Sequence, residues 1–263
     1  MAKRRDVLLM GLCAMAGATP HAAQDPTGGD PLGSMQWPDL RKKHIGDAPF
    51  EFTDKIVVRA PAFAEDALNV PLQIDARALQ KDAGAIARMV VIADRNPIRE
   101  VLTFEPLQSL AVLAFRIRLE QASPIRCLVQ TADGRWHVNG VTVQAAGGGC
   151  TVPGVTRADG SWSETLNQVQ ARFFSNIASA TRRLRLQVMH PMDTGLVAGI
   201  PAFYLEHLEL RDSGEQAWWR LQLHEPISEN PLLTLEMPAQ GPHQFRLLGE
   251  DNNGNHIDVE VRA

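Results

Sequence analysis

Short apolar runs broken by turn residues dominate the chain from about residue 45 to 147. Lys55-Ile56-Val57-Val58-Arg59 stops before Pro61, and Val70-Pro71-Leu72-Gln73-Ile74 alternates. Ile86–Ala93 ends at Asn96-Pro97, and residues 101–104 and 111–119 continue the series. Runs of this length, rich in β-branched residues and bounded by Pro, Asn and Gly, predict strands. Residues 125–130 and 136–143 flank Ala132-Asp133-Gly134-Arg135. Asp-Gly between alternating runs predicts a tight hairpin. A two-residue Asp133-Gly134 loop pairs Ala132 with Arg135, sets Cys127 opposite Gly140, and gathers Ile125, Cys127, Val129, Trp136 and Val138 on one face.

Upstream, residues 24–35 read as a mobile leader, and Trp37 to His44 as a short helix with Pro38 in its first turn. Downstream the texture changes. Ala145-Ala146-Gly147-Gly148-Gly149-Cys150-Thr151-Val152-Pro153-Gly154 suits neither strand nor helix and reads as a flexible arm entering a linker. Ser161 and Glu164 have capping-box spacing, which marks a short helix. Val169-Gln170-Ala171-Arg172-Phe173 and Leu184-Arg185-Leu186-Gln187-Val188 alternate as strands, with a helix through 177 as the alternative. Further strands are predicted at 203–210, 218–223, 232–237, 243–248 and 257–261, with Trp218-Trp219 placing one indole on each face of a strand, one in the core and the other only a secondary candidate for a docking surface. The class is all-β: two immunoglobulin-like β-sandwich domains joined by a glycine-rich, cysteine-bearing linker. The divisions are a leader and helix at 24–44, a sandwich at 45–147, an arm and linker at 148–168, and a second sandwich at 169–263.

The N-terminus changes the context. Lys3, Arg4 and Arg5 precede an apolar run from Val7 to Ala16, and Ala22-Ala23 follows. Membrane spans need about 20 apolar residues, so the run is too short to be one and reads as an export signal over residues 1–23. Ala16-Gly17-Ala18 offers an earlier cleavage site, and the paired arginines fit a twin-arginine signal loosely beside an ordinary Sec signal. The expectation is a periplasmic protein with no membrane insertion after processing. Processing takes Lys plus Arg from 26 to 23 and Asp plus Glu from 30 to 29, a formal charge of −6. That balance argues against a nucleic-acid partner, which phosphate contacts would require to be basic. An apolar fraction of 44% excludes a wholly disordered chain. There is no phosphate loop and no nucleophile with a base beside it in sequence, so no catalytic residue and no cofactor is assigned. Met189, His190 and Met192 are soft ligand types, but read as a shaped loop rather than a metal site.

Processing also leaves two cysteines, Cys127 and Cys150. Ten residues separate Cys150 from Gly140, up to ~33 Å if extended, whereas a disulfide needs Cα atoms within ~7 Å. An oxidising compartment permits the bond, but the predicted register opposes it. Cys127 reads as core. Cys150, behind Gly147, Gly148 and Gly149, reads as an exposed thiol of ordinary pKa, ~8.5, able to hold a group covalently inside a partner's cleft.

These residues carry a resemblance. Ala64-Glu65-Asp66-Ala67, Val70-Pro71, Asn96-Pro97, Phe115-Arg116-Ile117-Arg118, Pro124-Ile125-Arg126, Ala132-Asp133-Gly134 and Gly148-Gly149-Cys150 resemble SoxY, half of the sulfur-oxidation carrier SoxYZ. His190-Pro191-Met192-Asp193-Thr194-Gly195, Ile200-Pro201-Ala202, Ile227-Ser228-Glu229-Asn230-Pro231 and Asp251-Asn252-Asn253-Gly254 resemble SoxZ. In this order they resemble the fused SoxYZ-like carriers associated with pyrroloquinoline-quinone (PQQ, quinoprotein) dehydrogenases. The resemblance implies a swinging arm with Cys150 as the covalent attachment point and Gly147, Gly148 and Gly149 as its flexible part. It implies a sulfur-containing cargo and no turnover of the carrier's own. The implied partners are periplasmic oxidoreductases, among them a PQQ-dependent dehydrogenase or its cytochrome. A non-covalent docking or assembly partner of such a dehydrogenase is the alternative. One departure stands out: SoxY ends with two glycines after its cysteine, whereas here Thr151 and Val152 follow and tether the arm at both ends.

Overall fold

The computed structural model describes residue 25 and residues 27–176 and 180–263; the export signal read at 1–23 lies outside the described residues. Helix α1 (Trp37–His44) precedes strands β1 (Phe50–Phe52), β2 (Val57–Arg59), β3 (Phe63–Ala64) and β4 (Val70–Asp75). Helix α2 (Arg77–Ala83) leads to β5 (Ile86–Ala93), β6 (Glu100–Glu105), β7 (Val112–Ile117), β8 (Ser123–Thr131) and β9 (Trp136–Ala145). Two short helices follow, α3 (Val155–Asp159) and α4 (Trp162–Thr165). The second half comprises β10 (Val169–Asn176), β11 (Thr181–Val188), β12 (Leu205–Asp212), β13 (Ala217–Leu223), β14 (Leu232–Pro238), β15 (Gln244–Asp251) and β16 (His256–Arg262). Residues 169–176 are therefore strand, not helix. No helix among the described residues is long and apolar enough to cross a membrane.

The two immunoglobulin-like sandwiches run into each other. One sheet has the order β1-β9-β8-β5-β6-β13-β12-β15-β16, with β3 also on β9; the other is β10-β11-β14-β7-β4-β2. Each sheet crosses from the first half to the second at one antiparallel pairing, β6 with β13 and β7 with β14. The side chains at the crossings explain the join. Leu102 lies opposite Leu223, Phe104 opposite Leu221 and Leu113 opposite Leu235, all at most 1% exposed. Fully burying such a side chain contributes about 1.5–3 kcal/mol, so neither half leaves this surface wet. A single apolar cluster joins Val91, Leu102 and Phe115 of the first half to Leu210, Trp219 and Leu235 of the second.

The hairpin register differs from the expected one by a residue. Cys127 pairs with Asn139 rather than Gly140, and Gln130 pairs with Trp136. Thr131, the last residue of β8, closes the loop with Arg135: its N–H donates to Arg135 O at 3.0 Å, its hydroxyl donates to Asp133 Oδ1 at 2.6 Å, and Gly134 takes φ +86°. A one-residue slip exchanges faces. Trp136 and Val138 accordingly leave the Cys127 face and join Leu128, Val90 and Ile92 in a second cluster under Trp37 and Leu40 of α1.

The leader is pinned rather than mobile over its described residues. Asp30 receives both terminal nitrogens of Arg126, at 2.6 and 2.8 Å, while Arg126 Nε bonds Asp94; all three side chains are at most 1% exposed. Arg126 also lies 4.4 Å over the Trp37 ring. Both indoles of the Trp218-Trp219 pair are buried, so neither marks an exposed docking surface. A register shift beside Leu210 turns Trp218 toward Phe245, and its Nε1–H reaches Asp212 Oδ2 at 3.0 Å.

Candidate functional site

Beyond β9 the chain folds down against the end of β7. Ala146 N–H donates to Ala64 O, Gly148 N–H to Glu120 O and Gly149 N–H to Leu119 O, at 3.0–3.2 Å. Gly147 and Gly148 make the bend with φ +97° and +77°, values that suit glycine. Gly149 serves a different purpose. A Cβ there would come within 2.7 Å of Leu119 O and closer still to Ala67 O, so the loop fits its slot only without a side chain. The expected swinging arm is thus docked, held by backbone hydrogen bonds that the glycines make possible.

Docking buries Cys150 to 1% exposure, against the expectation of an exposed thiol. Its N–H donates to Glu120 Oε2 at 3.0 Å, and its carbonyl accepts the Thr194 hydroxyl at 2.6 Å. The thiol faces Arg118 O at 3.9 Å. Burial, reinforced by the Glu120 carboxylate, pushes the Cys150 pKa up to about 12, with Arg118 opposing. The thiol is therefore neutral at physiological pH, and the expected ordinary value does not hold in this conformation. Cys127 is fully buried and raised further by burial alone; both cysteines are free.

Arg118 organises the surroundings. Its guanidinium is buried and donates to Gly149 O, Val152 O and Pro191 O at 3.3–3.5 Å, touching arm, linker and second half together. Burial holds its pKa below the usual arginine value, against the charges of Glu229, Cys150, Asp193 and Asp66. Asn96 sets this corner by donating to Arg118 O at 2.9 Å and accepting Glu120 N–H at 3.0 Å.

The linker is clasped by the second half. Thr156 gives its N–H and hydroxyl to Glu229 Oε2, at 3.2 and 3.0 Å. Arg157 donates to Asp193 Oδ2 through Nε at 2.8 Å and also through Nη2, and stacks 4.1 Å over Trp162. Behind Asp193, in the His190-Pro191-Met192 turn, Met192 N–H donates to His190 Nδ1 at 3.1 Å and Met192 Sδ accepts Leu205 N–H at 3.4 Å, while His190 Nε2 is buried without a hydrogen-bond partner, 3.5 Å from Asp251 Oδ2. Burial, opposed by Asp251, lowers the His190 pKa to about 4. No group of three or more His, Cys, Asp or Glu side chains placed to hold a metal ion occurs among the described residues.

Sequence reasoning isolated Cys150 and its glycines but none of the residues that close over them. Arg118, Asp193, Thr194 and Glu229 lie within the quoted motifs, so the motifs themselves were the signal; they converge from both halves on the cysteine. Glu120 and Arg157 carried no signal.

The family described as sulfur oxidation protein SoxY matches residues 41–150, ending on the cysteine, and sulphur oxidation protein SoxZ matches residues 175–262. Among solved structures, the sulfur carrier protein SoxY from Chlorobium limicola f thiosulfatophilum is 18% identical, with a TM-score of 0.37, over 42% of this chain and 96% of that one. No curated protein matches. With a SoxY domain followed in the same polypeptide by a SoxZ domain, the chain belongs to the sulfur-oxidation carrier family as a fused SoxYZ-like protein.

Proposed function

We propose that this protein is a periplasmic covalent carrier that holds a sulfur-containing group on Cys150 and presents it to partner oxidoreductases, with no turnover of its own. The observation that supports this reading is how Cys150 is held: a free thiol at the junction of the two halves, on a glycine loop retained by hydrogen bonds and not by a disulfide. Such a loop opens without unfolding either sandwich. Closed, the thiol is protonated and inert, which protects it in an oxidising compartment. Open, it regains an ordinary pKa near ~8.5 and becomes a nucleophile. Intact-mass spectrometry of protein purified from its own host without reductant tests the reading. An adduct on wild type that is missing from Cys150→Ser supports it, and an unmodified wild type counts against it. N-terminal sequencing of the same sample tests export, with Gln24 as the expected first residue.

Burial of Cys150 favours a second reading, a non-covalent docking or assembly partner of a periplasmic quinoprotein dehydrogenase or its cytochrome. A Cys150→Ser strain that keeps full dehydrogenase-linked growth would select it.

A further inference from the structure

The outer face of the six-stranded sheet carries arginines that the fold does not neutralise. In register across the strands, Arg172 of β10 faces Arg185 of β11, which lies beside Thr234, then Ala114, then Gln73, then Arg59 of β2. Arg183 and Arg116 lie on the same face, two residues from Arg185 along β11 and from Ala114 along β7. All five arginines are exposed. Arg183 pairs with Glu236, and Arg77 ties Glu236 to Asp75. Arg59, Arg116, Arg172 and Arg185 have no ion-pair partner among the described residues, although the whole chain is net −4.

The ten-stranded sheet handles its arginines differently. On its outer face Arg211 and Arg220 both bond Glu209, and Arg246 bonds Asp258. Like charges directly opposite each other across two strands are destabilising. The Arg172–Arg185 pair therefore works against the sheet, and inside it Arg172 has the Phe174 ring, 5.6 Å away, as a neighbour but no carboxylate among the described residues.

Shape narrows the occupant. Two grooves of about 640 and 540 Å³ run over this face; Ala114 and Thr234 floor the first, and Arg59 and Arg183 line the first and Arg172 and Arg185 the second. Six strands at ~4.8 Å spacing extend about 24 Å, too wide for one small anion. A trough admits a ridge, whereas a flat bilayer would meet only its rims. We propose that this face is the docking surface for a protein partner that presents an acidic ridge, its carboxylates alternating along an extended segment. Arg185, with Arg172 directly opposite on β10, offers the unpaired positive charge to the carboxylates of such a segment, while Arg183, two residues along β11, is held by Glu236. Arg116 is two residues before Arg118, whose carbonyl faces the Cys150 thiol, so a partner seated here lies beside the docked loop. The surface stands independently of whether Cys150 is ever loaded.

A fluorescein-labelled peptide of alternating glutamate and serine, titrated by anisotropy against the full chain, is the direct probe. At about 20 mM salt, where screening is weak, it binds wild type, and binding weakens as salt rises. Arg172→Glu with Arg185→Glu lowers the affinity at least about tenfold, and the milder Arg172→Gln with Arg185→Gln does so partially, each one-unit change of RT ln 10 being about 1.4 kcal/mol. The control Arg220→Glu with Arg246→Glu changes net charge equally on the other sheet and leaves binding within about twofold, a difference small against that tenfold unit. No binding to wild type, or equal loss in the two charge-reversed pairs, overturns the proposal. So does a response confined to inorganic sulfate or to vesicles containing anionic phospholipid.

Discussion

Replacing Gly149 by alanine places a methyl group within 2.7 Å of Leu119 O, and closer to Ala67 O, where ordinary contact is 3.4–4 Å. Both obstacles are backbone, so the loop must retreat and not the wall. Retreat breaks the Gly149–Leu119 hydrogen bond at 3.0 Å and strains the neighbouring Cys150 N–H to Glu120 bond at 3.0 Å. The first contributes about 1 kcal/mol net, and the second, to a carboxylate, about 1.5–3 kcal/mol. Taking the weaker bond as lost and the stronger as partly lost gives about 2–3 kcal/mol in favour of the open loop. That is a rise of about 30- to 150-fold in its population. Alkylation by iodoacetamide at neutral pH, followed by peptide mapping, reads this as a rate at Cys150, because reaction proceeds through the open form. Cys127, inside the sheet, reports global unfolding in the same digest. Gly148→Ala is a graded control: φ is +77° with nothing within 4 Å of the added Cβ, so only backbone strain acts and the rise is smaller. Wild-type labelling of Cys150 in Gly149→Ala, with Cys127 still protected, would refute the account of why the loop is docked.

Other consequences are open to direct measurement. Because the Cys150 pKa is raised from 9.0 to about 12 in the closed state, closure is fully favoured below pH 9 and weakens as pH rises toward 12; Cys150 labelling should keep climbing past pH 9, and a plateau there would contradict the burial. His190 is lowered from 6.5 to about 4, so its contribution is complete above pH 6.5 and is lost as pH falls toward 4, on the order of 3 kcal/mol in all. Urea unfolding at pH 7.5 and 4.5 should show a smaller acid loss in His190→Gln than in wild type, and an identical loss would refute the assignment. Arg126→Met leaves Asp30 and Asp94 buried without their cation and should cost about 3–5 kcal/mol, read as a lower urea midpoint with early proteolysis between residues 27 and 36. An unchanged midpoint would show that the leader is not held by this pair.

Periodicity made α1 and most strands legible, since Val70–Asp75 or Leu205–Asp212 has little choice once one face is apolar. The hairpin slipped because alternation does not register the Thr131–Asp133 side-chain bond, which turns the chain directly after Thr131. Trp136 satisfies either face of a strand, so nothing local warned of the error. Gly149 illustrates a deeper limit. A glycine chosen for freedom and one chosen because no Cβ fits are spelled alike, and only the carbonyls of Ala67 and Leu119 distinguish them. The closure over Cys150 was hidden for a related reason: Arg118, Glu229 and Asp193 act together yet are scattered through the chain, and their meeting depends on how β7 and β14 pair.

The β6–β13 and β7–β14 pairings leave no bare strand borders at the junction. Were the halves made separately, each would carry two uncovered rows of N–H and C=O groups, ready templates for pairing with whatever strand comes first. Synthesis as one polypeptide keeps the correct mate at high effective concentration and in strict one-to-one supply. A single cut between residues 160 and 168 should accordingly leave the two fragments co-eluting. The tether matters for assembly, while the sheets themselves keep the finished molecule together.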